Sequence, residues 1–191
     1  LEERDKRRGV AGEIFMWKIG AAKAALGGSL EEVREMSQLA IDYSRSVGVG
    51  LGPCTLPAVG HPNFEIAAGK MEVGIGHHGE PGVRVEDLKS ANSVADEMAK
   101  IVLDDHNLPI GTQVAVLISG LGATPTNELY VLYSQVENRI RERGLNVYKS
   151  YVGNYFTSLE MVGATLTIMA LNDDLKPLLD YECACPALTD K

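Results

Sequence analysis

Two adjacent histidines in a glycine-rich segment are the residues of this sequence whose types and spacing favour chemistry. His77 and His78 follow the alternating apolar residues 71–76 and are followed by Gly79, Glu80 and a Pro-Gly turn. Histidine suits nucleophilic or acid–base work near neutral pH, and glycine lets backbone approach a ligand closely. The uncharged ring nitrogen of His78 could add to a carbonyl carbon, with a nearby donor stabilising the alkoxide.

The surroundings of these histidines leave several interpretations open. Glu80 could orient His78 through a hydrogen bond, or it could be merely solvated. Because side chains alternate along a strand, His77 is predicted to point away from His78 and to have a structural role. A two-histidine metal site lacks further ligands at a suitable spacing, so no metal is expected. His61 and His106 are predicted to be surface residues.

A second glycine-rich segment precedes a helix, as phosphate-binding loops do. It reads Gly120-Leu121-Gly122-Ala123-Thr124, without the Walker lysine or the spacing of a dinucleotide-binding motif. We therefore predict a tight turn, with Thr124 as the N-cap and Pro125 as the first residue of the helix.

Composition and charge restrict the class of protein. The 191 residues, of which 45% are apolar and 23% charged, suit one globular domain. A net charge of −8 argues against a nucleic-acid surface, and no apolar run reaches the length of a bilayer span. The charged first residues lack the pattern of a signal peptide, so none is expected. The odd count of three cysteines (Cys54, Cys183 and Cys185), without a zinc spacing, indicates free thiols in a reducing cytoplasm.

The elements that must position these residues form an α/β pattern. Helices are predicted over residues 9–26, 29–46, 85–105, 124–143 and 174–181. Strands are predicted over residues 47–55, 64–66, 71–76, 113–119, 146–152 and 165–171. Adjacent strands beside strand–helix–strand units predict a mixed sheet covered by helices. The apolar stripe of the first helix is predicted to include Trp17 and Ala21, and Ser29 with Glu32 forms a capping box at the second.

Several segments, in order across nearly the whole chain, resemble one known family. The segments are residues 7–12, 48–57, 71–82, 121–125, 128–130, 157–161 and 186–188. They resemble the K subunit, or K domain, of dihydroxyacetone kinases. The His-Gly-Glu-Pro-Gly block that begins at His78 is the most specific of these matches.

The resemblance implies a site and a reaction. His78 would bind the substrate covalently, as a hemiaminal with the ketone carbon, and Gly76, Gly79 and Glu80 would line the substrate site. The substrate would be a short ketose such as dihydroxyacetone. ATP or ADP with magnesium would lie on a partner L subunit or L domain, recharged in some systems by a phosphotransferase-system protein, so no cofactor is expected in this chain. The family usually has an aliphatic residue where this chain has His77.

The resemblance also implies how much of the protein this chain represents. Residues 1–191 would be the C-terminal substrate-binding domain alone, a two-layer α/β unit with a mixed six-stranded sheet, in a homodimer. The histidine-containing glycine-rich motif and the aspartate base of the family's N-terminal domain do not occur here, so this part alone is expected to be inactive. The alternatives are a non-catalytic dihydroxyacetone sensor or co-activator, an erythrulose kinase domain, and a purely structural dimer-forming domain.

Overall fold

The computed structural model describes residues 7–62 and 64–190, and this part of the chain forms five α-helices and one six-stranded sheet. The helices are α1 (Glu13–Ala25), α2 (Leu30–Asp42), α3 (Ala91–His106), α4 (Thr126–Glu142) and α5 (Leu175–Asp180). The sheet strands are β1 (Ser44–Gly50), β2 (Lys70–Val73), β3 (Arg84–Asp87), β4 (Gln113–Gly120), β5 (Asn146–Gly153) and β6 (Gly163–Ala170). A two-stranded hairpin, β7 (Cys183–Ala184) and β8 (Thr189–Asp190), follows α5.

The sheet is mixed, as the sequence predicts. Its strand order is β3-β2-β1-β6-β4-β5. The β4–β5 pair is parallel, and the neighbouring pairs described for the rest of the sheet are antiparallel. The strand β1 pairs with β6 along its whole length, from Ser44 opposite Met169 to Gly50 opposite Gly163. The loop that carries the histidines leaves this sheet at the end of β2.

Helices cover both faces of the sheet. On one face α3 and α4 pack against apolar side chains that include Val116 and Leu166. On the other face α1, α2 and α5 pack against a second set that includes Leu117 and Met169. The whole of β6 is buried, so its side chains need cover on both sides. The α/β class and the mixed six-stranded sheet are confirmed, but the expected two layers are corrected to three.

The helix starts show which local signals were reliable. The capping box at α2 is confirmed: Ser29 Oγ accepts from the Glu32 N–H, and the Glu32 carboxylate accepts from the Ser29 N–H at 2.7 Å. The predicted stripe of the first helix, Val10, Ile14, Trp17 and Ala21, is buried at Val10 and Ile14 but was wrong at Trp17 and Ala21, which are exposed. The other buried side chains of α1 belong to Phe15, Lys18, Ile19 and Ala22.

One strand prediction failed, and one predicted helix starts later than expected. Residues 64–66 form no strand, and the predicted helix over residues 85–105 begins only at Ala91, with Ser90 as its N-cap. Residues 84–87 form β3, an edge strand paired with β2. Because β3 is exposed and mostly charged, its sequence lacks the alternating burial pattern of a half-buried strand. The predicted six strands match the number in the main sheet, although one member was not the one predicted, and the hairpin β7–β8 was not predicted.

Element boundaries differ where a glycine or an early turn intervenes. The helix α2 ends at Asp42 rather than near Ser46, and β1 starts at Ser44. The strand β2 stops at Val73 because Gly74 has a φ of +84°, which bends the chain out of the sheet. In the described residues, no helix combines the length and the apolar character that a membrane crossing requires.

Candidate functional site

Close backbone contacts hold the histidine loop against β1. The Gly74 N–H donates to the Gly48 carbonyl at 2.7 Å, and the Ile75 side chain is buried. A Cβ at Gly48 would lie 2.5 Å from the Ile75 carbonyl oxygen, so only glycine permits this approach. The loop therefore leaves the sheet along a fixed path.

A tight turn over residues 76–80 then folds the segment back on itself. The Gly76 N–H donates to the Glu80 carbonyl at 3.0 Å, and Gly79 has a φ of +86°. A Cβ at Gly76 would lie 2.0 Å from Glu80 Oε2, so this glycine makes room for the carboxylate. The glycines of the turn thus place the Glu80 side chain beside His78.

Both carboxylate oxygens of Glu80 bind His78. The ring atom Nδ1 lies 3.0 Å from Glu80 Oε1, and the His78 N–H donates to Oε2 at 3.0 Å. Burial acts to raise the pKa of Glu80, but hydrogen bonds from its own N–H and from His78 outweigh it, so the pKa lies below its usual 4.5. An ionised carboxylate accepts only, which assigns the proton to Nδ1 and leaves the Nε2 lone pair free to react. The His78 side chain is 72% exposed, so a ligand can reach it.

The two histidine rings lie together, contrary to the prediction that they point apart. Their centroids are 3.7 Å from each other, at an interplanar angle of 45°. Strand alternation does not apply because residues 77 and 78 form a turn after β2 has ended. Burial lowers the pKa of His77, and the neighbouring His78 lowers it further, while Glu80 and Glu13 act in the opposite direction.

Aromatic side chains from distant segments extend this contact. Phe156, in the loop after β5, lies 4.4 Å from the His77 ring in an edge-to-face arrangement, and Trp17 of α1 lies 5.8 Å from Phe156. Sequence reasoning missed both residues. The sequence carried no signal for either contact, since its helical spacing placed Trp17 in the buried stripe of α1, where the structure does not bury it.

The other two histidines lie elsewhere and differ from each other. His61 is exposed, as predicted, and its Nδ1 lies 3.1 Å from the carbonyl oxygen of the next residue, Pro62. The surface prediction for His106 was wrong, because its ring is half-buried at the end of α3 with Nε2 2.8 Å from the Tyr43 carbonyl oxygen. Burial lowers the pKa of His106.

The glycine-rich segment before α4 is a bend rather than the predicted tight turn, because Gly122 forms a bridge with Met161 and the Ala123 N–H donates to the Met161 carbonyl at 3.0 Å. A Cβ at Gly122 would lie 1.9 Å from the Leu159 carbonyl oxygen, which leaves little room at this position. Thr124 is not the N-cap. Its hydroxyl donates to the Gly163 carbonyl at 2.7 Å and accepts from the Gly163 N–H at 2.9 Å, and Pro125 takes the N-cap position instead.

The thiols, the potential metal ligands and a cavity are the other candidate features. In the described residues Cys54, Cys183 and Cys185 form no disulfide, as expected. Over residues 7–62 and 64–190, no three histidine, cysteine or acidic side chains come together as a metal site would require. A cavity of about 260 Å³ lies among residues of the α3 and α4 layer, including Val94 and Leu132, and its lining contains neither His77 nor His78.

The arrangement at His78 suits nucleophilic addition. One ring nitrogen is bound to an ionised carboxylate, the other is free, and the ring stands at the surface rather than in the core. An imidazole held in this way can attack an electrophilic carbon, and the carboxylate can stabilise the positive charge that develops on the ring.

Comparison with known proteins gives the family. The Dak1 domain model matches residues 1–187. The chain is 39% identical over 185 residues to the dihydroxyacetone-binding subunit DhaK of PTS-dependent dihydroxyacetone kinase 2 from Listeria innocua, covering 97% of this chain and 56% of that protein. It is 37% identical over 191 residues to L-erythrulose kinase of Pectobacterium atrosepticum, covering 98% of this chain and 32% of that enzyme.

A solved structure supports the same relationship. The dihydroxyacetone kinase operon co-activator Dha-DhaQ is 33% identical and superimposes with a TM-score of 0.82, covering 91% of this chain and 54% of that one. The chain thus spans about half of the DhaK and DhaQ chains and about a third of the erythrulose kinase. With a family model matched over almost its whole length and relatives above 30% identity, the chain belongs to the Dak1 domain family.

Proposed function

We propose that this chain is the substrate-holding part of a dihydroxyacetone-type kinase and that His78 binds a short ketose covalently. The observation that carries the proposal is the pairing of His78 with Glu80, which leaves Nε2 free on an exposed ring. The similarity to dihydroxyacetone-binding subunits supports the choice of substrate. Gly76 and Gly79 contribute by shaping the turn.

The proposed addition needs no reactant other than His78, the ketose, and Glu80 or water as proton acceptor. The Nε2 lone pair of neutral His78 bonds to the ketone carbon, and the π electrons of the carbonyl move onto its oxygen. The Nδ1 proton becomes more acidic, passes to Glu80 or water, and a proton reaches the alkoxide. The product is a neutral hemiaminal with a hydroxyl group, and the reverse steps release the ketose.

This chemistry selects a class of substrate. Short ketoses and aldehydes have the electrophilic carbon that a hemiaminal needs, whereas glycerol has none. Anchoring one carbon also restricts the terminal hydroxyl, which favours its attack on a phosphoryl group. In our proposal the phosphoryl donor is ATP with magnesium on a partner L subunit or domain, and the transfer leaves ADP there. The other K domain supplies further groups, so this chain alone would not transfer phosphate.

The test is direct observation of the adduct. Dihydroxyacetone labelled with carbon-13 at the ketone carbon is added to the chain and to His78→Ala, and carbon-13 NMR follows the labelled atom. We expect a hemiaminal signal in the natural chain and its loss in His78→Ala. The matched control is His61→Ala, at an exposed histidine outside the loop, which should keep the signal. Equal ketose binding by His78→Ala would refute the proposal.

A non-catalytic sensor is the second candidate, favoured by the similarity to a co-activator. Such a protein would form the same adduct but transfer no phosphoryl group. The longer protein that contains this chain should be mixed with an L subunit, ATP, magnesium and dihydroxyacetone. Formation of the phosphorylated ketose supports the kinase, and adduct without phosphorylation supports the sensor.

The preferred ketose is a separate question, raised by the similarity to erythrulose kinases. Calorimetric titration with dihydroxyacetone and with each erythrulose enantiomer compares their affinities on the same protein. We propose dihydroxyacetone as the preferred ligand, and tighter erythrulose binding would reassign the substrate. If no short ketose binds, a purely structural domain is the remaining interpretation.

A further inference from the structure

The face of the His78 ring is in contact with a second imidazole. The centroids of the His77 and His78 rings lie 3.7 Å apart, close enough for direct van der Waals contact. Glu80 holds the edge of the His78 ring at Nδ1. The exposed His78 side chain is therefore restrained from two directions, by a carboxylate at one edge and by a ring at one face.

The His77 ring is held in turn by aromatic side chains from other parts of the chain. His77 is more buried than His78, and Phe156 packs edge-to-face against it at 4.4 Å. Trp17 of α1 continues the row at 5.8 Å from Phe156. Edge-to-face and tilted aromatic pairs at these separations are favourable contacts. The row connects the otherwise exposed His78 ring to α1 and to the loop after β5.

We propose that His77 is a positioning residue for carbonyl capture by His78, an inference that rests on the proposed function of His78. Its ring limits rotation of the His78 ring while Glu80 holds Nδ1, so that Nε2 meets the ketone carbon. A neutral ring at position 77 supports capture. A positive charge there opposes it, because His78 gains positive charge as the new bond forms.

The charged groups that face His77 determine the direction of the pH effect. His78 and Glu80 face it from the same loop and Glu13 from α1, while Phe156 brings no charge. The pKa of His77 lies below 6.5, so the ring is mostly neutral at neutral pH and gains its proton as the pH falls through that lowered value. Part of the loss of ketose binding on acidification is therefore assigned to His77.

Three substitutions separate the effect of a ring at position 77 from the effect of a positive charge there. His77→Phe keeps a ring and removes the titration, His77→Ala removes the ring, and His77→Lys supplies a fixed charge without a ring. At neutral pH we expect dihydroxyacetone to bind His77→Phe about as well as the natural chain. We expect binding about tenfold weaker in His77→Ala and weaker still in His77→Lys. Below neutral pH, His77→Phe should lose less affinity than the natural chain.

A measurement without ketose keeps this inference separate from the proposed function. Carbon-13 relaxation of the His78 ring in the free protein should show greater mobility in His77→Ala and His77→Lys, but not in His77→Phe, with circular dichroism confirming an intact fold. Unchanged ring mobility and unchanged ketose affinity in His77→Ala and His77→Lys would overturn the positioning role. If the natural chain binds no ketose while ring mobility changes as expected, the proposed function fails and the support by His77 stands.

Discussion

At the scale of single residues, the site divides into contacts that sequence spacing can predict and contacts that it cannot. Glu80 lies two residues from His78 across a glycine, so a local turn was enough to suggest their hydrogen bond. The contacts of Phe156 and Trp17 with the row of rings depend on packing between distant segments. The prediction that His77 points away from His78 was wrong for a local reason. The strand β2 ends three residues before its predicted boundary, so strand alternation does not reach the histidines.

The carboxylate at Glu80 should control both ring orientation and charge. Glu80→Gln removes the ionised acceptor, and we expect ketose affinity about tenfold lower, in line with the contribution of a charge-assisted hydrogen bond at an exposed site. Calorimetry with dihydroxyacetone measures the change. Glu65→Gln, at an exposed carboxylate, is the control and should bind normally. Unchanged affinity in Glu80→Gln would contradict a role for the Glu80 charge in ketose binding.

The same carboxylate predicts a pH dependence. The folded pKa of Glu80 lies below its usual 4.5, so the stabilisation from its hydrogen bonds is present above about pH 4.5 and is lost as the pH falls through the lowered value. NMR titration of the Glu80 side-chain carboxyl carbon tests this directly. A midpoint at or above 4.5 would contradict the bidentate contact with His78.

Gly76 should be as necessary for ketose binding as the Glu80 side chain for which it makes room. Gly76→Ala would place a Cβ 2.0 Å from Glu80 Oε2, so the carboxylate must move and its bonds to His78 must break. We expect ketose binding at least tenfold weaker with the fold retained. Gly9→Ala is the matched control, since a Cβ there meets no atom within 4 Å. Normal binding by Gly76→Ala would mean that the turn adapts.

At the scale of elements, the strongest sequence signals were apolar strands and helix caps. The strands β4 and β6 were recognisable because nearly all of their residues are buried, and α2 because its capping box is local. The edge strand β3 was missed because its structure comes from pairing with β2 rather than from its own apolar pattern. Elements stabilised by their neighbours are the ones that the sequence alone did not identify.

The capping box of α2 allows a test at this scale. Ser29→Ala removes the acceptor for the Glu32 N–H, and we expect the free energy of unfolding to fall by about 1 kcal/mol. Urea denaturation followed by circular dichroism measures it. Ser134→Ala, at an exposed position in the middle of α4, should cost no stability because alanine favours helix. Equal effects of the two substitutions would contradict a specific role for the cap.

At the scale of the whole molecule, a buried lysine links the two ends of the described chain. Lys18 of α1 is 7% exposed, and its Nζ lies 3.1 Å from Asp190 Oδ2 in β8. The same carboxylate lies 2.7 Å from Lys149 Nζ and accepts from the Tyr151 hydroxyl at 2.6 Å. A buried ammonium needs such partners, and the sequence could not pair residues so far apart.

Removing this carboxylate should therefore destabilise the whole domain. For Asp190→Asn we expect a loss of about 3 kcal/mol in the free energy of unfolding, because a buried ammonium loses its counter-charge. Burial acts to raise the pKa of Asp190, but Lys149, Tyr151 and Lys18 lower it overall, below the usual 3.8. The contribution is thus present above about pH 3.8 and disappears as the pH falls through the lowered value. Urea denaturation over a range of pH values, with the exposed Asp173→Asn as control, tests both statements. A loss no larger than that of the control would contradict them.

The edge strand β3 has a consequence for how the isolated chain behaves at high concentration. Three of its four residues, Arg84, Glu86 and Asp87, are charged, and the apolar Val85 is 62% exposed. An open strand edge invites another chain to extend the sheet, and charged side chains along it make such stacking costly. Replacing these charges with threonine should make the isolated chain form fibrils or precipitate. Light scattering should rise well before any loss of secondary structure.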